Sequence, residues 1–440
     1  MTTEETITYS ITAVFVLLVV IIYVLRGKRK SDKVKKKVAI AKEEGKYEPV
    51  SLHPFIDPNI CIGSGACIRA CPEKDILGIV DGKATVINAS NCIGHGACFL
   101  ACPVDAISLR IGTEKRGVDL PHVKPSYETD MDGIFIAGEL GGMGLIKNST
   151  EQGVQAVENI IKQRKTENST GLDLVIIGAG PAGIAASLSA KKHGLKFKTL
   201  EQDSLGGTVF TFPRMKVVMT KPMDLPLVGK MKLVNTSKQE LLDIWTSALT
   251  KNNITIQENT KVEKITSIEN GFELTLKDGS IIETDQVLIA IGRRGTPRKL
   301  GVKGEELSKV AYRLLEPELI TQQKIMVVGG GDSAIESALL LVDHNEVHLS
   351  YRKENFARIK KQNEINLEAA IKQGKLKVWL NSNLTEIDEN NVTLSQTETG
   401  EHSIENDRVF IFAGGELPTE FLKNAGISVE KSFGKTVKKH

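Results

Sequence analysis

Two glycine-rich turns, each preceded by a short apolar run and followed by a helix-forming stretch, constrain this chain more than any other feature. The first reads Leu172-Asp-Leu-Val-Ile-Ile, then Gly178-Ala-Gly180-Pro-Ala-Gly183, then a helical stretch to Lys192, and Glu201 closes the next apolar segment. Glycines at these places permit a tight turn and close backbone approach to a pyrophosphate, the helix N-terminus favours its charge, and an acid about 20 residues on can accept ribose hydroxyls. The second starts at Lys324-Ile-Met-Val-Val and continues Gly329-Gly-Gly331-Asp332-Ser333-Ala334, but its following strand ends in Tyr351-Arg352-Lys353 instead of an acid. Cations there suit a 2′-phosphate, so NADPH is expected over NADH, against the plainer reading of Arg352 and Lys353 as a solvated strand end.

All six cysteines lie between Cys61 and Cys102, and the 338 residues that follow hold none. That clustering points to a metal site, not scattered disulfides. The cysteines belong to an internal repeat: Cys61-Ile-Gly-Ser64-Gly-Ala-Cys67-Ile-Arg-Ala-Cys71-Pro72, and 31 residues on Cys92-Ile-Gly-His95-Gly-Ala-Cys98-Phe-Leu-Ala-Cys102-Pro103. The pattern resembles that of bacterial two-cluster ferredoxins, in which the fourth cysteine of each run serves the other cluster. The resemblance implies one cluster on Cys61, Cys67 and Cys102 and another on Cys92, Cys98 and Cys71. The second ligand position holds Ser64 in one run and His95 in the other, so each site has an oxygen or imidazole ligand, a water-ligated iron, or three irons only. A zinc ribbon is the alternative, but its paired C-x2-C knuckles are missing.

Residues 7–25 form an uncharged, mostly apolar run of 19 residues, which as a helix nearly spans the ~30 Å hydrocarbon core of a bilayer. Glu4 and Glu5 precede it and no small-residue cleavage site follows, so an anchor is expected in preference to a signal peptide. Nine Lys or Arg against one Asp occupy residues 26–42, which places the remainder in the bacterial cytoplasm by the positive-inside bias. Outside that run the chain is slightly acidic, and its net charge is only +3. No nucleic-acid partner is indicated.

The pair of turns, together with Gly-Gly-Gly-Asp332-Ser333-Ala334, Arg352-Lys353 with Arg358, and Ala290-Ile-Gly292-Arg, resembles the thioredoxin reductase group of two-dinucleotide-binding-domain flavoproteins. Within it the likeness is to members without a CxxC, such as bacillithiol disulfide reductases and one class of ferredoxin-NADP reductases. It covers residues 112 to 430 and implies FAD contacts from Gly178, Gly180, Gly183, Glu201, Gly207 and Thr208. It implies NADPH contacts from Gly329, Gly331, Asp332, Ser333, Ala334, Arg352, Lys353 and Arg358. In that group a G-[I/V]-F-x-A-G-D strand and a helix normally close the chain. Here they stand upstream as Gly133-Ile-Phe-Ile-Ala-Gly138-Glu139 and a helix through Gly153, which implies a circular permutation joined by the polar linker 162–171. Glu139 stands where the group has Asp.

The fold class expected is α/β: two Rossmann-like dinucleotide-binding domains, preceded by a small α+β two-cluster ferredoxin domain and one transmembrane helix. The expected boundaries are an anchor at 1–27, a basic linker at 28–50, the ferredoxin-like domain at 51–111, FAD-domain segments at 112–165 and 166–297, the NAD(P)H domain at 298–416 and a tail at 417–440. The implied activity is electron transfer between NADPH, FAD and the clusters to an acceptor or donor the sequence does not identify, with no side chain required as acid-base catalyst. Alternatives are reduction of a low-molecular-weight disulfide or a quinone, and a membrane redox sensor. The resemblance is compatible with a homodimer.

Overall fold

The computed structural model describes residues 3–43, 47, 49, 52–73, 75–92, 94, 96–115, 117–142, 144–163, 171–212, 217–219, 222–231, 235–293, 296–356 and 359–438. The chain divides into two compact units: residues 1–118 with 432–440, and residues 119–431.

The first unit opens with one unbroken helix, α1 (Thr3–Glu43). Its apolar part has a mean hydropathy of 2.6 over 18 residues, none of them buried, which is long and apolar enough to cross a membrane. The basic stretch expected as a linker continues the same helix, and there Ser31, Val34, Val38 and Ala41 are withdrawn from solvent at spacings of three, four and three, a helical stripe. The stripe packs on the hairpin of β2 (Leu77–Val80) and β3 (Lys83–Val86), which follows β1 (Leu52–Ile56) and the short helix α2 (Ala66–Ala70). A second short helix, α3 (Ala97–Leu100), leads to β4 (Ile107–Ile111), which pairs antiparallel with β1. The other edge of β4 is covered by the strand Lys435–Lys438, so segments more than 300 positions apart build this sheet together.

In the second unit a seven-stranded sheet is assembled around β6 (Leu172–Ile177), whose side chains are almost wholly buried. Such a continuous apolar run fits a strand covered on both faces. The short strand β5 (Ile134–Ile136) and α4 (Ile146–Gln163) precede it in sequence. Next come α5 (Pro181–Lys192), with proline in its first turn, and β7 (Phe197–Leu200), parallel to β6. Helix α6 (Lys238–Lys251) starts at Ser237, whose hydroxyl accepts from the Glu240 N–H at 3.1 Å. Then follow β8 (Ile256–Gln257), β9 (Val262–Ile268), β10 (Gly271–Leu276) and β11 (Ile281–Ile289), and the sheet runs β8-β7-β6-β11-β10-β9. The end of β11 pairs in parallel with β6 on one side and β5 on the other. Helix α4 packs on α5 so closely that a Cβ on Gly153 would stand 2.1 Å from the Ala182 carbonyl oxygen. The segment that the resemblance reads as moved upstream is thus part of this sheet and its helical layer. Of the linker expected at 162–171, residues 164–170 lie outside the described residues.

A five-stranded parallel sheet forms the second nucleotide fold of this unit. Its strands are β12 (Val310–Ala311), β13 (Lys324–Val328), β14 (Glu346–Tyr351), β15 (Leu376–Leu380) and β16 (Arg408–Ile411), in the order β12-β16-β13-β14-β15. Helices α7 (Asp332–Leu341) and α8 (Lys361–Lys372) cover it, around a core that includes Ile325, Val327, Ile335, Leu349 and Leu367.

Candidate functional site

The turn between β6 and α5 has the shape of an anion cradle. Gly178 has a φ of 104°, and a Cβ there would fall 2.6 Å from the Ala290 carbonyl oxygen. At Gly183 a Cβ would meet the Gly178 carbonyl oxygen at 1.8 Å, so the first turn of α5 has room only for glycine at this position. A Cβ on Gly180, between them, would meet nothing within 4 Å, leaving the turn open where a pyrophosphate would lie against the helix N-terminus.

Two other loops converge on that opening. Gly207 brings its Cβ direction to within 3.3 Å of the Gly180 Cα, and the Gly206 N–H donates to the Ala179 carbonyl at 2.9 Å. Thr208 follows it, exposed. From the upstream segment, a Cβ on Gly138 would lie 3.1 Å from the Ala182 Cβ, and Glu139 begins a short helical turn with its side chain against Gly144. Glu201 is only 6% exposed. Its carboxylate accepts from the Ala179 N–H at 2.7 Å and the Asp203 N–H at 3.0 Å, closing the glycine turn upon itself. Burial pushes its carboxyl above the usual range, against the lowering effect of those two N–H groups.

The turn between β13 and α7 repeats this logic. Gly329 has a φ of 144° and a Cβ there would stand 2.6 Å from the Phe412 carbonyl oxygen, while a Cβ on Gly331 would meet nothing within 4 Å. Ala334 is buried beneath the turn and Ser333 is exposed beside it. Arg352 and Lys353 are exposed just past the end of β14. Arg358 lies outside the described residues.

Several partners had no local signal in the sequence. Asp332 accepts from the Lys360 N–H at 2.8 Å and from Asn363 Nδ2 at 2.7 Å, tying the start of α8 to the start of α7. The Tyr351 ring lies against Gly330, where a Cβ would come within 2.2 Å of it, and stacks on Phe356 at 5.2 Å. Gln152 Oε1 accepts from the Gly138 N–H at 2.8 Å.

The six cysteines are all free thiols, with Cys61, Cys67 and Cys98 buried. Cys67 lies within electrostatic reach of Cys61 and Cys102, and Cys98 within reach of Cys92, Cys71 and also Cys67. Burial pushes the Cys92 thiol to about 11 and the Cys98 thiol to about 12. Backbone N–H groups are aimed at sulfur: Gly63 and Ala84 at Cys61 (3.4 and 3.3 Å), Gly94 at Cys92 (3.4 Å) and Ala106 at Cys102 (3.3 Å). Gly63, Gly65, Gly94 and Gly96 all have φ between 68° and 75°, the conformation that lets the loops curl round the thiols. Among the described residues no three His, Cys, Asp or Glu side chains close on a single ion. Thiols in two groups with N–H donors at their sulfurs fit iron-sulfur clusters. Ser64 is exposed on the Cys61 loop, its hydroxyl accepting from the Ala66 N–H at 3.4 Å. His95 lies outside the described residues.

Residues 175–439 match the family described as pyridine nucleotide-disulphide oxidoreductase. The chain belongs to that family. Residues 53–103 match the 4Fe-4S dicluster domain. The chain is 26% identical to a ferredoxin-NADP reductase of Ignicoccus hospitalis over 58% of its own length and 82% of the relative's. It is 24% identical to a bacilliredoxin reductase of Bacillus subtilis over 59% of its length and 82% of the relative's. The bacillithiol disulfide reductase of Bacillus cereus shares its fold with a TM-score of 0.53 at 24% identity, covering 61% of this chain and 85% of that one. This member of the pyridine nucleotide-disulphide oxidoreductases is an NAD(P)H-dependent flavin oxidoreductase of α/β fold, with FAD and NADP as its nucleotides and an iron-sulfur domain.

Proposed function

We propose that this chain takes electrons from NADPH through FAD to two iron-sulfur clusters and on to an acceptor, while α1 anchors it in a membrane with the other domains on the cytoplasmic side. The observation that carries the reading is the presence of two thiol groups and two open glycine cradles in one chain whose 338 residues after Cys102 contain no cysteine. A thioredoxin reductase-type dithiol would lie within the nucleotide-binding region, and residues 119–431 hold no cysteine. When bound, FAD supplies the conversion between two-electron and one-electron transfer.

The chain's own residues bind and orient. Gly178, Gly180 and Gly183 would receive the FAD pyrophosphate at the N-terminus of α5, and Glu201 holds that turn closed while keeping lone pairs for ribose hydroxyls. Gly138 and Glu139, Gly207 and Thr208 would line the same cofactor. At the second turn Gly329, Gly331 and Ser333 would receive the pyrophosphate of NADPH, with Asp332 fixing the adjacent loop and Arg352 and Lys353 meeting the 2′-phosphate. Cys61, Cys67 and Cys102 would hold one cluster and Cys92, Cys98 and Cys71 the other, with Ser64 and His95 as candidate fourth ligands. The basic residues after the apolar run support the cytoplasmic orientation.

Cys98→Ser separates this reading from flavin-only catalysis. NADPH should still bleach the flavin at the wild-type rate while turnover with a one-electron acceptor such as cytochrome c falls at least tenfold. Unchanged cytochrome c turnover would refute the role of the clusters as relay.

A further inference from the structure

We propose that the loop carrying Cys61 is a lipid-contacting face that rests on anionic headgroups beside the anchor, which makes the Cys61 cluster site the membrane-proximal one. The inference rests on the reading of α1 as a membrane anchor and adds to it a second, independent point of contact.

The argument begins with the continuity of α1. No break separates its apolar run from the stripe that packs on the ferredoxin hairpin, so positions along the helix can be read as distances from the bilayer. The contacts along that stripe are ordered. Nearest the apolar run, Ser31 Oγ donates to Asp81 Oδ1 at 3.0 Å and accepts from the Asp81 N–H at 3.0 Å, and Lys35, one turn on, reaches back to the same carboxylate at 2.8 Å. Further along, Val34 fills the space at Gly78, where a Cβ would meet its Cγ1 at 2.7 Å. Further still, Lys37 pairs with Asp75 at 2.5 Å. The turn at Asp81 and Gly82 therefore points toward the membrane and the opposite end of the hairpin points away.

The Cys61 loop is seated on that turn. A Cβ on Gly63 would strike the Gly82 carbonyl oxygen at 1.9 Å, Lys83 Nζ donates to the Cys61 carbonyl at 2.6 Å, and the Ala84 N–H reaches Cys61 Sγ at 3.3 Å. Ser31 lies six positions beyond Leu25, which at 1.5 Å each is about 9 Å along the axis. Headgroup regions are roughly 5–8 Å deep on each side of the hydrocarbon, so the turn and its loop stand at their outer edge. There the loop presents Ile60 and Ile62, 48% and 64% exposed, on either side of Cys61. Two large apolar side chains in this position cost free energy in water and gain it at an interface. Arg69, which holds the Ser64 carbonyl at 3.2 Å, and Lys83 flank them with positive charge, and the carboxylate of the turn, Asp81, is paired with Lys35. An apolar centre with a basic rim is the complement of an anionic lipid surface.

The test uses the full chain in nanodiscs of phosphatidylcholine and phosphatidylglycerol. Photoreactive p-benzoylphenylalanine is placed singly at Leu18 in the apolar run, at Ile62 in the loop, and at Ile40, exposed on α1 about 22 Å beyond Leu25. Mass spectrometry after irradiation should find lipid adducts at positions 18 and 62, with several-fold less at position 40. Adducts at 18 with none above the level of 40 at 62 would overturn the lipid face and leave the anchor standing. No adduct at 18 would overturn the anchor and the inference with it. Ile62→Glu gives a second measurement: lipid adducts from a photoprobe at Ile60 should fall several-fold while adducts at 18 persist, and an unchanged yield at 60 would count against the proposal.

Discussion

Replacing Glu201 by alanine should loosen the FAD domain even before any flavin is bound, because this carboxylate closes the glycine turn. In the variant the Ala179 and Asp203 N–H groups, bonded at 2.7 and 3.0 Å in the native turn, lose their acceptor. A buried donor left unmade costs about 1–3 kcal/mol, and relief from burying the carboxylate offsets part of the sum, leaving a loss of about 2–4 kcal/mol. Trp245 is fully buried in the core shared by α5 and α6, so its fluorescence follows this domain. In FAD-depleted protein the urea midpoint read from it should fall by about 1 M, and Glu201→Gln, which keeps one acceptor oxygen, should lose about half as much. The loss should also depend on pH. Burial raises the Glu201 pKa, so the folded state binds its proton more tightly than the unfolded chain and stability from this group declines as pH rises from the ordinary carboxylate range through the raised value. The wild-type advantage should therefore be larger on the acid side of that window. An apo midpoint unchanged by Glu201→Ala would show that the turn does not depend on this clasp.

Gly153→Ala places a methyl 2.1 Å from the Ala182 carbonyl oxygen, so it should cost about 1–3 kcal/mol or more and release FAD, measured by flavin fluorescence during unfolding. Arg352→Ala with Lys353→Ala should raise the KM for NADPH at least tenfold and that for NADH little, since only the former carries the 2′-phosphate, and equal losses would place the pair elsewhere. In iron-free protein the Cys98 thiol, pushed to about 12, should be a thiolate only to about one part in ten thousand at pH 8, so iodoacetamide should label it slowly and faster as pH rises, as peptide mapping can measure.

The glycine turns were legible in the sequence because their constraint is local: Gly178, Gly183 and Gly329 each face a backbone atom that leaves no room for a side chain. The strand-and-helix pattern of residues 133–163 was legible for a similar reason, since its apolar triplet and its glycine-containing helix each keep the face they bury. What the sequence did not disclose depends on contacts between distant residues. The stripe of Ser31, Val34, Val38 and Ala41 is weakly apolar and sits among lysines, so the charge pattern read as a linker where α1 continues. The pairing of Lys435–Lys438 with β4 uses backbone groups that any residue carries, and nothing in Lys-Thr-Val-Lys names its partner. The bond from Asn363 to Asp332 joins side chains on two helices and leaves no trace at either position.

The central claim is that one chain carries electrons from NADPH to its own iron-sulfur clusters, and anaerobic reduction of the full-length protein by NADPH, read by flavin absorbance and low-temperature EPR on the same samples, tests it most directly. Flavin bleaching should be followed by EPR signals from the reduced clusters, and both should be lost or slowed when Arg352 and Lys353 are replaced. A protein whose flavin bleaches fully under NADPH while its clusters stay oxidised over hours would contradict the account.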